Sequence, residues 1–183
     1  MLRALVFAVH DCGFVARCAL ELDDGSEVRI SKIFDLISEC QFGIHDLSRT
    51  ELDEATGLPR FNMPLELGIF LGAKRFGQGN QKRKQALILD REPYRYQQFV
   101  SDIAGQDVRA HHGDVHKVIG IVRDWLRTNT TRIVPGGSKM VERYKLFLRE
   151  LPLMCKELDL DLDQLIFNDL TTLVVEWLKE NSW

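Results

Sequence analysis

Phe42-Gly43-Ile44-His45-Asp46-Leu47-Ser48-Arg49 decides the fold, because a short stretch of strand character runs directly into a polar cluster. Ala86-Leu87-Ile88-Leu89 repeats the form and exits into Asp90-Arg91-Glu92. Residues 2–9 are a continuous apolar run that stops at His10-Asp11-Cys12-Gly13, and they too predict a strand, buried on both faces. Val108-Arg109-Ala110 is a candidate edge strand.

Helical patterns fall between these runs. Residues 14–22 predict a short helix, and Ile30, Ile33, Phe34 and Ile37 repeat at helical spacing as far as Cys40. Residues 50–60 carry three acids and Gly57-Leu58-Pro59, which makes them a loop before an apolar helix over 63–73. Residues 94–104 read as helix, and 115–127 as an amphipathic helix with Asp114 as N-cap. Short apolar strands alternating with helices predict an α/β fold: a flavodoxin-like open parallel sheet of four to five strands with helices on both faces. That domain occupies residues 1–130. Pro135-Gly136-Gly137 marks a linker, and residues 138–183 form a C-terminal helical hairpin that packs on the domain or on a second copy of it. In open sheets of this kind, ligands bind beyond the carboxyl ends of the strands. The exits at His10-Asp11, 46–49 and 90–92 are expected on that one edge.

Hydrophobic residues are 45% and charged residues 28% of the 183, ordinary values that exclude wholesale disorder and collagen-like repeats. A chain of this size buries roughly 70% of its unfolded surface and needs no staples. No apolar run reaches the roughly 18 residues of a membrane span, and residues 1–9 are too short for a signal peptide, so the expected location is cytoplasmic. Cys12, Cys18, Cys40 and Cys155 show no CxxC spacing and read as buried thiols, with no metal site. Beyond residue 150, seven acids against two lysines leave −5, and the rest of the chain carries +2 of the overall −3. Neither half has the basic balance of a nucleic-acid binder.

The chemistry centres on Glu66, the only ionisable residue from Phe61 to Ala73. The helix around it is hydrophobic nearly all round and is expected to be largely buried, where a lone carboxylate is costly. Asn62 is a fair N-cap and Pro64 suits the first turn, so Glu66 lies about one turn from the positive end of the helix dipole. Gly68 and Gly72 would let the backbone approach the sheet closely. Glu66 therefore either complements the helix start, with or without an arginine, or is a functional carboxylate. Asp46 and Ser48 at the preceding strand end favour the second reading.

Ile44-His45-Asp46-Leu47-Ser48-Arg49, then Asn62-Met63-Pro64-Leu65-Glu66-Leu67-Gly68, then Ala86-Leu87-Ile88-Leu89-Asp90, resembles the nucleoside 2-deoxyribosyltransferase-like proteins and related bacterial TIR-like domains over about residues 2–127. The resemblance implies cleavage of an N-glycosidic bond, in NAD or in a nucleoside or nucleotide, with NAD as substrate rather than cofactor, by hydrolysis or by forming a cyclic or conjugated ADP-ribose, and with Glu66 as the catalytic glutamate. His10, Asp11, Asp46, Ser48, Arg49 and Asn62 would be substrate-binding. Typical TIR domains carry Ser or Cys and a Trp just ahead of that glutamate, whereas Phe61-Asn62-Met63 stands here, the mark of a divergent member. The resemblance also implies antiphage defence and a small-molecule nucleotide substrate; the C-terminal helices lie outside it, and their apolar faces suggest a homo-oligomer joined through them. The alternatives are a nucleoside or nucleotide 2-deoxyribosyltransferase or hydrolase, and a non-catalytic nucleotide-sensing or assembly domain.

Other constellations are weaker. His112 and His116 are four apart, a metal-binding spacing, but 111–116 reads better as an exposed helix start. His10-Asp11 either touches the ligand or forms a simple turn. Arg91 and Arg95 are either phosphate contacts or surface residues. GxxxxGK[ST], strand-following GxGxxG and GxSxG are missing, which removes phosphate-loop NTPases, standard Rossmann dehydrogenases and α/β-hydrolases.

Overall fold

The computed structural model describes residues 1–183. In chain order the elements are α1 (Leu2–Asp11), α2 (Arg29–Glu39), β1 (Phe42–Asp46), α3 (Asn62–Phe76), β2 (Gln85–Asp90), β3 (Val108–Ala110), α4 (Val115–Thr128), α5 (Gly137–Glu157) and α6 (Phe167–Glu180). They form two compact units: residues 24–113 hold the sheet, and residues 1–23 with 114–183 are helical.

The sheet is mixed with helices, parallel, open and three-stranded in the order β1-β2-β3, rather than the four to five strands expected. The missing strand is residues 2–9, which are α1. Its buried positions include Ala4, Phe7, Ala8 and Asp11, an i, i+3, i+4, i+7 set hidden inside a run, apolar but for Arg3, that periodicity alone cannot assign. Residues 14–22 form no helix. Glu21 there accepts from the Cys18 backbone at 3.4 Å, taking an N–H that a helix begun at Phe14 would pair with a carbonyl four residues back. Residues 94–104 form two 3-10 turns, Arg95–Gln98 and Ser101–Ile103, because Tyr94 sits at φ 62° and Val100 is non-helical.

In the sheet unit, period-2 alternation puts Gly43 and His45 on the face that meets α3. His45 pairs in register with Ile88, and Ile88 with Val108. Leu47, Leu67, Ile88 and Tyr96 form the core there, with Met63, Phe99 and Ile103 packed around them. Lys84 is buried, and its ammonium donates to the carbonyls of Ile37 and of Cys40 (2.5 Å) at the end of α2, where helix carbonyls lack partners.

In the helical unit, α1 packs on α4, α5 and α6. Phe7 is fully buried against Tyr144, Phe147 and Trp177, with ring centroids 5.3–5.8 Å apart. Such pairs add about 1 kcal/mol each beyond area burial. Asp114 caps α4 as expected, accepting from His116 N at 2.8 Å. No helix is long and apolar enough to cross a membrane.

Candidate functional site

The carboxyl edge of the sheet collects the polar strand exits that the sequence marks. Asp46 ends β1, Asp90 ends β2, and His111 follows β3 directly. Asp46 Oδ1 accepts from Ser48 N at 3.0 Å and lies 3.3 Å from His111 Nε2. Gly113 N donates to His111 Nδ1 at 3.0 Å, so the proton of the neutral ring sits on Nε2 and points to Asp46. His111 is buried, which corrects its reading as a solvent-exposed histidine, while His112 is exposed as expected. Adjacency to the end of β3 was the signal for it.

Asp90 is fully buried, and its Oδ1 takes the Arg95 guanidinium through Nε (2.9 Å) and Nη2 (2.6 Å). Arg95 also donates to Leu47 O at 2.7 Å and Thr50 Oγ1 at 3.1 Å. It thus ties the exits of β1 and β2 together and is a structural residue, while Arg91 pairs with Glu51. Asp90 Oδ2 remains buried without a partner.

Glu66 stands on the fifth residue of α3, one turn in, as expected. It is half-buried, and its carboxylate makes no hydrogen bond or ion pair. Burial raises its pKa above the ordinary value, and the Arg29 charge offsets that in part. Asp46 and Asp90, by contrast, are both engaged. Three expectations around Glu66 fail. The N-cap position is Phe61 with no side-chain bond, so Asn62 is the first helical residue and is exposed. Only Leu67 and Phe70 of α3 are buried, because a three-stranded sheet covers one side of the helix and Leu65 is 56% exposed. A Cβ on Gly68 or Gly72 would meet nothing within 4 Å, so neither glycine serves a close approach.

Ser48 is half-buried and Arg49 exposed. His10 and Asp11 are not strand-end residues, since α1 is a helix that has no carboxyl strand edge. They close α1 within the helical unit, where Asp11 pairs with Arg143 at 3.0 Å. No group of three His, Cys, Asp or Glu side chains is placed to hold a metal ion. The cysteines form no disulfide; Cys12 and Cys155 are buried, and Cys18 and Cys40 are partly exposed. No family model, curated protein or solved structure matches this chain.

Proposed function

We propose that the sheet unit cleaves the N-glycosidic bond of NAD, with Glu66 as the catalytic carboxylate. The supporting observation is that Glu66, alone among Asp46, Glu66 and Asp90, has a carboxylate with no protein partner, half-buried one turn into α3. Breaking the C1′–N bond sends its electron pair to the nicotinamide nitrogen and builds positive charge on the ribose, as in glycoside hydrolysis. A carboxylate held in a partly dry setting stabilises that charge or attacks C1′. Nicotinamide leaves as a neutral base, so no general acid is needed. Water then adds to C1′ and a proton is released. Asp46, Ser48, Arg49 and Asn62 are the proposed ribose and base contacts.

A second reading is a non-catalytic nucleotide-sensing domain. It is favoured by Asp46, whose Oδ1 is already shared between Ser48 and His111 and is less free to hold a sugar hydroxyl. The test incubates the chain with NAD, and separately with mixed deoxynucleosides, beside Glu66→Gln, and identifies products by mass. Nicotinamide release by the parent and none by Glu66→Gln is the expected result. Base exchange among deoxynucleosides with silence on NAD moves the reading to a 2-deoxyribosyltransferase. Nucleotide binding without turnover favours the sensor.

A further inference from the structure

The helical unit contains a cavity of about 660 Å³, inside the roughly 300–1,000 Å³ range of small-ligand sites. Its charge is simple to account for. Arg143 is spent on Asp11, with Nε at 3.1 and 3.2 Å from the two carboxylate oxygens and Nη2 at 3.0 Å, and its Nη1 donates to Asn181 O at 2.5 Å. Arg132, on the same wall, has no carboxylate partner. Its Nη1 donates to the Gly13 carbonyl and its guanidinium carbon stands 4.5 Å from the centre of the Phe14 ring. Nε and Nη2 remain free to donate.

Gly13 holds this arrangement. Its φ is +76°, and a Cβ there would lie 3.1 Å from Arg132 Nη1, so a side chain would be strained and would crowd the guanidinium. His10 Nε2 accepts from Ala16 N at 3.4 Å, which leaves the ring neutral. Among the side chains that line the cavity, Arg132 is thus the one cation without a carboxylate partner. Ile133 and Trp183 also line it and remain 80% and 61% exposed, an apolar wall left open to water.

We infer that this cavity binds a small organic monoanion with a flat apolar body, of the aryl carboxylate class, its carboxylate forked on Arg132 and its ring laid against Ile133 and Trp183. A guanidinium with two free donors matches a planar carboxylate. A phosphate dianion would need a second free cation, and Arg143 is already neutralised by Asp11. The site lies wholly within residues 1–23 and 114–183 and stands independently of the Glu66 reading.

The test titrates the full chain with 1-naphthoate by calorimetry, beside the neutral 1-naphthamide and inorganic phosphate. Saturable one-to-one binding of naphthoate is expected, weakened about tenfold or more in Arg132→Gln, the worth of a charged hydrogen bond. Naphthamide should bind no better to the parent than naphthoate binds to Arg132→Gln. Trp183→Ala should weaken binding with an unchanged melting temperature, and Glu66→Gln should bind as the parent does. The inference is overturned if naphthoate does not saturate, if folded Arg132→Gln binds equally, if phosphate binds as tightly, or if Glu66→Gln loses the site.

Discussion

His45 stands near edge-on to Phe70, ring centroids 5.3 Å apart, and both its ring nitrogens are buried without a hydrogen-bond partner. Burial depresses its pKa from 6.5 to about 4, because the charged ring has nothing to replace its water. The unfolded chain therefore binds the proton more readily than the folded one. Stability is fully present above pH 6.5 and falls as the pH drops towards 4, by about 3 kcal/mol. Asp24, Asp53 and Asp114, whose carboxyls lie below their ordinary 3.8, lose their contributions only at lower pH still. Urea unfolding of the parent and of His45→Leu across pH 4–7 should show the parent's slope flattened in the variant; equal slopes would contradict the assignment.

Gly43 sits beside that ring pair. A Cβ there would be 2.8 Å from His45 Nε2 and 2.8 Å from Phe70 Cε2, closer than real side chains tolerate. Gly43→Ala should cost about 1–3 kcal/mol by overpacking, and a Phe70→Leu background should reduce that cost. Thermal melts of the two singles and the double measure the coupling.

Lys84 is a buried cation whose partners are two carbonyls at the end of α2. Lys84→Met keeps the stem and strips both bonds, so a loss on the order of 3 kcal/mol is expected from the stranded carbonyls. Amide exchange should show the last turn of α2 loosening before the rest of the sheet unit.

For the Asp11–Arg143 pair, removing one member differs sharply from removing both. Arg143→Met strands a buried carboxylate and should cost about 3–5 kcal/mol, whereas Asp11→Leu with Arg143→Met should recover most of it. Denaturant midpoints of the parent, single and double variants decide this, and a double no better than the single would contradict it.

Strand exits and amphipathic helices were legible because their patterns are local. β1, β2, β3 and α4 fall where short apolar runs, polar punctuation and the Asp114 cap put them. Residues 2–9 misled because every position is apolar or small apart from Arg3, which erases the contrast that distinguishes a period of two from 3.6. With that strand gone, His10 and Asp11 left the sheet edge. At the site, Asp46 and Glu66 were visible as acids at a strand end and a helix start. Their different fates were not, because His111 reaches Asp46 from 65 residues away, while Arg95, which claims Asp90, reads locally as a surface arginine.

The helical unit is discontinuous in sequence, and this has a consequence during synthesis. The carboxylate of Asp11 finds its guanidinium 132 residues later. At translation speeds of about 5–20 residues per second, α1 waits on the order of ten seconds for α5, with the face around Phe7 uncovered. The 24–113 segment meanwhile emerges with its strands and core residues complete. Nascent chains paused before α5 should therefore present α1 to chaperones and proteases while the sheet unit is already protected, so the ribosome meets a fold built from its middle outward.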